Sequence, residues 1–247
     1  MKTKYRVATM SALVFLLGAG ALRCTPDVGA TPTGQIVGTV KLDGPAPHPR
    51  TIDMSKDPGC IQVGKGSSPA VAEGVVVGAN GGLANVVLYL SQGLNGTEAR
   101  SSQPVTIVQK GCRYIPHVVA VNPGQPMRIL NDDKTIHNIH PDPRKDSGNQ
   151  AWNKSQMEGS PPIDFAWSNE EVAIPVKCNI HPWMRAYIVV VKGPHGVSNE
   201  AGAFKLEGVA PGTYTLSAWH ETYGTQTQNV VVDAGKTATV DLTFRSK

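Results

Sequence analysis

At 247 residues the chain is long enough to bury a full core and to hold one large or two modest domains. Its 23 Lys and Arg stand against 19 Asp and Glu, a formal net charge of +4. Three of those basic residues, Lys2, Lys4 and Arg6, precede an apolar leader, and without them the balance is 20 to 19, so the charge gives no support to a nucleic-acid or membrane-surface role.

The leader, residues 12–21, contains Val14-Phe15-Leu16-Leu17 and ends in the small residues Ala19-Gly20-Ala21. Residues 1–21 have the form of a signal peptide and are short for a membrane span; cleavage after Ala21 places the mature chain in the periplasm or another extracytoplasmic space. Cys24 follows at once, where exported bacterial proteins can carry a lipid anchor, although Arg23 occupies the place of the small residue that lipidation wants. A free soluble chain and one anchored through Cys24 both stay open.

Beyond the leader, short apolar stretches alternate with Gly- and Pro-containing turns and no long segment has helical periodicity, which predicts an all-β fold. Ile36, Val40 and Leu42 form a first strand before the Gly44-Pro45 turn, and residues 83–90, with Val86-Val87-Leu88-Tyr89, form a second. Residues 50–82 carry little pattern apart from Val75-Val76-Val77, and residues 91–104 read as a linker. From Val105 the strand candidates crowd together: Val105-Thr106-Ile107-Val108, Ile115, Val118-Val119-Ala120-Val121 and Met127-Arg128-Ile129-Leu130. After an Asn-Asp turn come His137, Asn138 and His140, then a polar stretch to Pro162, then Val176-Lys177-Cys178-Asn179-Ile180-His181-Pro182-Trp183-Met184 running into Tyr187-Ile188-Val189-Val190-Val191. At the C-terminal end Phe204 with Leu206, Tyr214 with Leu216, Val230 with Val232, and Val240 with Leu242 and Phe244 alternate as in a small antiparallel β-sandwich.

The chemistry is concentrated between Cys178 and Met184. Cys, His and Met at three-residue intervals make a poor structural zinc set, because zinc makes little use of a thioether. Two His, one Cys and a weak axial Met are the donors of a blue-copper electron-transfer centre, so the loop needs one more histidine. His137 and His140 are three apart; in an extended segment they face opposite ways, and one of them can point at the metal. His137 is the expected ligand, with Asn138 beside it placed to touch the thiolate or tie the two loops together. With Cys178 given to metal and Cys24 terminal, Cys60 and Cys112 remain as a disulfide pair in an oxidising compartment; two unpaired thiols are the alternative. His48, His117, His195 and His220 have no metal role in this reading.

Ile136-His137-Asn138 followed by Cys178-Asn179-Ile180-His181-Pro182-Trp183-Met184 and a valine-rich strand resembles a cupredoxin, within that family the plastocyanin/amicyanin type, over residues 105–192. The resemblance implies one type 1 copper ion, cycling between Cu(II) and Cu(I), held by His137, Cys178, His181 and Met184 in a Greek-key β-sandwich. His181, with Pro182 and Trp183 around an exposed edge, is then the electron port. The stretch from Gly202-Ala203-Phe204 to Pro211-Gly212-Thr213-Tyr214 resembles a carboxypeptidase regulatory-like, transthyretin-related β-sandwich. Its first part is expected at residues 34–100 and its last at 197–247, with the cupredoxin inserted between; two consecutive small β domains ahead of the C-terminal one are the alternative.

These readings give an exported electron carrier, not an enzyme, whose partners are transient redox proteins of the cytochrome or dehydrogenase type. A binding or assembly module whose metal is structural or serves copper handling is a second reading. An enzyme using Cys178 as nucleophile, activated by a neighbouring imidazole, is a third.

Overall fold

The β-branched run after the Cys-His-Met loop is buried on both of its faces, and the molecule is layered around it. A computed structural model describes residues 31–64, 70–96 and 101–246; the leader and Cys24 lie outside the described residues. The strands are β1 (Gly34–Asp43), β2 (Val87–Gln92), β3 (Val105–Gln109), β4 (Tyr114–Ile115), β5 (Val118–Val121), β6 (Met127–Asn131), β7 (His137–Pro141), β8 (Lys154–Gln156) and β9 (Ile163–Phe165). They continue as β10 (Glu171–Lys177), β11 (Arg185–Val190), β12 (His195–Val197), β13 (Ala203–Val209), β14 (Gly212–His220), β15 (Gly224–Val232), β16 (Thr237–Thr239) and β17 (Leu242–Arg245). Between β1 and β2 lie the short helix α1 (Pro58–Gly64) and a 3-10 turn at Ala79–Gly81. The fold is all-β.

Four sheets form two sandwiches. In the middle of the chain, β5-β11-β10-β7-β8 faces β4-β3-β6-β9 over a core that includes Ile107, Met127, Ile129, Ile139, Ile174 and Ile188. The strands at the two chain ends build the other sandwich: β1 joins β13, β16 and β17, and β2 joins β12 and β14, which pairs with β15. Ile36, Val40, Leu42, Leu88 and Leu90 share its core with Phe204, Leu206, Tyr214, Leu216, Val230, Val232, Val240, Leu242 and Phe244. The alternation read from the C-terminal sequence therefore marks one buried face on each strand. β1 pairs with β16 and then with β17 in parallel, which adds a mixed sheet to the antiparallel pattern expected there. Gly38 sits where β1 changes partner, and a Cβ there would lie 1.7 Å from the Val240 carbonyl oxygen, so only glycine permits the two backbones to pass.

A third apolar cluster joins the sandwiches. It holds Val87, Val118, Ala120, Val189, Val191 and Trp219, while the alternate residues Val119, Val121, Ile188 and Val190 belong to the middle core. The Trp219 and Tyr187 rings meet edge to face at 5.4 Å. Strands covered on both sides read as continuous apolar runs, which is why residues 118–121 and 187–191 show no polar alternation.

Two local expectations change. The second strand begins at Val87, not at Leu83, because Asn85 takes φ +63° and the Ser198 hydroxyl receives the Val86 N–H at 3.0 Å. The polar stretch between His140 and Pro162 contains β8, paired with β7, and β9 follows it, paired with β6. Its Gln156 is buried and accepts from Gln109 Nε2 at 2.8 Å.

Candidate metal centre

The Cys-His-Met loop is the connection between β10 and β11. Since β10 lies between β11 and β7, with Lys177 opposite His140 and Val176 opposite Pro141, the sheet register itself carries the loop to His137. His137 is fully buried and His140 only partly so, as opposite faces of one strand require; His140 meets Asn179 Oδ1 at 3.0 Å. His137 Nδ1 and His181 Nδ1 are 2.9 Å apart, and Cys178 Sγ is 3.8 Å from His181 Nδ1. Donor atoms of these three residues all lie within 4.8 Å of one another. Met184 is fully buried in the same core as Cys178, and its N–H donates to the His181 carbonyl at 2.9 Å, closing the loop into a tight turn.

Asn138 ties β7 to the loop between β10 and β11. Its Oδ1 accepts the Asn179 N–H at 2.8 Å and the Cys178 thiol at 3.3 Å, and its Nδ2 donates to Asn153 Oδ1 at 2.7 Å. The Tyr114 hydroxyl holds the Asn138 carbonyl at 2.5 Å. Burial pushes the Cys178 thiol up, but His137 and the backbone N–H groups of Asn138, His181 and Ile180 outweigh it and bring the thiol below its ordinary value. The shift is toward the thiolate, the form that binds metal.

Two carboxylates that the sequence reading missed hold the outer nitrogens of the imidazoles. Asp133 Oδ2 lies 2.8 Å from His137 Nε2, and Asp57 Oδ2 lies 3.1 Å from His181 Nε2. Asp133 stands four residues before His137, a local signal; Asp57 is 124 residues from His181 and its only sequence signal is its place as a cap before Pro58-Gly59-Cys60. Burial disfavours charge on both Asp133 and His137, yet their mutual hydrogen bond lowers the acid and raises the base. Cys60 and Cys112 form a disulfide.

The exposed edge expected of His181 is absent: the residue is 1% exposed, because Asp57 closes it from outside and Trp183 lies against it with ring centroids 5.2 Å apart. Pro182 is exposed and Trp183 half-buried, and both line a cleft of about 670 Å³ shared with Arg113, His117 and Glu221. His117 bonds Glu221 and the Arg185 carbonyl, so it pins the start of β11 to the turn after β14 and takes no part in the Cys-His-His cluster.

The donor set fits a soft or borderline cation. With each Nε2–H donated in a hydrogen bond to a carboxylate, both Nδ1 atoms present lone pairs toward the Cys178 sulfur, and three converging lone pairs need a shared proton or a metal ion. Two imidazoles and one thiolate, with the Met184 side chain buried in the same core, make a donor set of the kind copper takes.

The fold and the site thus describe an all-β protein of two sandwiches with a buried Cys-His-His cluster. The sequence profile of the carboxypeptidase regulatory-like domain matches residues 182–245. Comparison with curated proteins finds no match. Among solved structures, similarity extends to the Cu-containing nitrite reductase of Thermus scotoductus, with 18% identity over 40% of this chain and 25% of that one, TM-score 0.33. Amicyanin from Paracoccus versutus is 13% identical over 42% of this chain and 97% of its own, TM-score 0.31. A purple cupredoxin from Nitrosopumilus maritimus is 17% identical over 35% and 99%, TM-score 0.29. The chain spans only a quarter of the nitrite reductase.

Proposed function

We propose that this is an exported mononuclear type 1 copper protein that accepts and donates single electrons, in which His137, Cys178, His181 and Met184 would hold the copper. The observation that carries the reading is the convergence of two Nδ1 atoms and one sulfur, all buried, with Met184 closing the same turn. Copper bound there supplies a one-electron Cu(II)/Cu(I) couple. The chain's own part is to keep the donors still: the Asn138 backbone N–H supports the Cys178 sulfur, the two carboxylates orient the imidazoles, and the β7-β10 register fixes the distance between the two segments, so the donors would need little rearrangement when a bound ion changes charge. Cys178 is buried and ringed by donors, which suits a ligand better than a nucleophile. Partners of the cytochrome or dehydrogenase type, meeting the chain transiently, belong to this proposal, as does the insertion of residues 105–192 between residues 34–100 and 197–247 of a host sandwich.

The test is a visible spectrum of the copper-reconstituted protein followed by reductive titration. An intense thiolate-to-copper band that bleaches with one electron per protein is expected; a colourless Cu(II) complex of the folded chain would overturn it. The closed edge of His181 favours one other reading, an extracytoplasmic binding or assembly module whose metal is structural. In that case zinc stabilises the chain as well as copper does, and Cys178→Ser lowers Tm with no redox change to lose.

A further inference from the structure

The Asp57 carboxylate lies against the metal centre, yet it comes from none of the strands that carry donors. It ends the loop after β1, and its two oxygens are divided: Oδ1 accepts the Cys60 N–H at 2.8 Å and Oδ2 meets His181 Nε2 at 3.1 Å. Asp133 is divided in a similar way. Its Oδ1 accepts the Gly111 N–H, and its Oδ2 meets the Cys112 N–H and His137 Nε2, each at 2.8 Å. Cys60 and Cys112 are disulfide-bonded, with Cα atoms 5.8 Å apart. The contacts therefore close a ring, from His181 through Asp57, Cys60, Cys112 and Asp133 to His137, and the two imidazoles meet across it at 2.9 Å. The segment is pressed onto the ligand side, since a Cβ at Gly59 would lie 2.6 Å from Thr135 Oγ1, two residues before His137.

We infer that Asp57 is a positioning residue for the metal centre, fixing the His181 ring by its outer nitrogen and shutting the edge through which a redox partner would touch it. A helix cap alone needs one oxygen, and Asp57 Oδ1 supplies it; the second oxygen is spent on His181. The inference rests on the copper-carrier reading for its consequence, slow exchange of electrons through His181, but the shutting itself belongs to the metal-free chain as well.

Asp57→Ser separates the two roles, because serine caps α1 and is too short to reach His181. In the metal-free protein, carbethoxylation of histidines with diethyl pyrocarbonate, mapped by mass spectrometry, labels the exposed His48 well before His181 in the parent chain. In Asp57→Ser the rate at His181 rises about tenfold or more while His48 is unchanged. In the copper-loaded protein, electron self-exchange measured by NMR line broadening rises in the same variant by about tenfold or more. Labelling of His181 as fast as His48 in the parent, or no change in either rate on substitution, overturns the inference. Absence of a thiolate-to-copper band in the parent overturns the carrier reading instead and leaves the labelling result to decide the role of Asp57.

Discussion

Asn138 connects three parts of the chain through one amide: Cys178 and Asn179 in the ligand loop, Asn153 beyond the site, and its own strand beside His137. Asn138→Ala strands the Asn179 N–H and the Asn153 side chain, and lowers the stability of the metal-free protein by about 1–3 kcal/mol in chemical denaturation. A competition titration of the same variant gives copper affinity lower by about 10–100-fold. His220, at the end of β14, supplies a pH prediction. It is 1% exposed, with Nε2 lacking a partner, Nδ1 accepting the Thr222 N–H at 3.1 Å and the ring stacked on Tyr223. Burial drives its pKa down to about 4, with Glu221 pulling upward and His117 pushing further down. Since the unfolded chain takes up the proton first, stability is full above pH 6.5, falls as the pH drops from there, and the loss is complete below about pH 4; it amounts to about 3 kcal/mol. His117, whose pKa is raised although burial opposes it because Glu221 holds the charged ring, works in the opposite sense, its contribution present below pH 6.5 and lost as pH rises through its folded value. His220→Gln flattens the decline between pH 6.5 and 4, and urea midpoints measured across that range check it.

At the scale of elements, β11 ties the site to the rest of the molecule. It starts one residue after Met184, puts Ile188 and Val190 into the middle core, and turns Tyr187 and Val189 toward the end-strand sandwich. The loop from Cys178 to Met184 thus continues directly into a strand that cannot shift without disturbing two cores. α1 is seven residues long, too short to persist alone, and is held by its Asp57 cap and by the disulfide. That bridge closes a separation of 52 residues, for which loop-closure entropy gives about 4 kcal/mol. Replacing Cys60 and Cys112 together by Ala lowers the folding free energy by about that amount, read by denaturant titration, and raises the carbethoxylation rate of His181 because the Asp57 backbone is no longer tethered.

For the whole molecule, the strands nearest the two ends of the chain share one sandwich, so neither end folds without the other. A chain truncated after Lys192 leaves β1 without β13, β16 and β17, and β2 without β12 and β14, and also bares Val118, Ala120, Val189 and Val191 to water. Such a chain is expected to aggregate and to lack the near-UV signature of a packed core; recovery of a monomeric, cooperatively melting fragment would contradict the shared sandwich. No helix among the described residues is long and apolar enough to cross a membrane.

Much of this was legible in the sequence because it is local. Two-residue alternation marked the buried faces of β13, β14, β15 and β17, the three-residue spacing of Cys178, His181 and Met184 singled out the loop between β10 and β11, and the opposite facing of His137 and His140 on β7 singled out the histidine that meets it. Strands of three residues such as β8 and β9 carry too little period to be seen, and the break at Asn85 depends on Ser198, which is distant in sequence. Residue types and spacing determined the candidate Cys-His-His cluster and the all-β class, since both follow from side-chain chemistry and backbone periodicity within a few residues. Only the tertiary structure decided that the His181 edge is shut: a carboxylate 124 residues away reaches it, and the closeness of two distant groups is fixed by strand pairing and the disulfide, not by any pattern around either one.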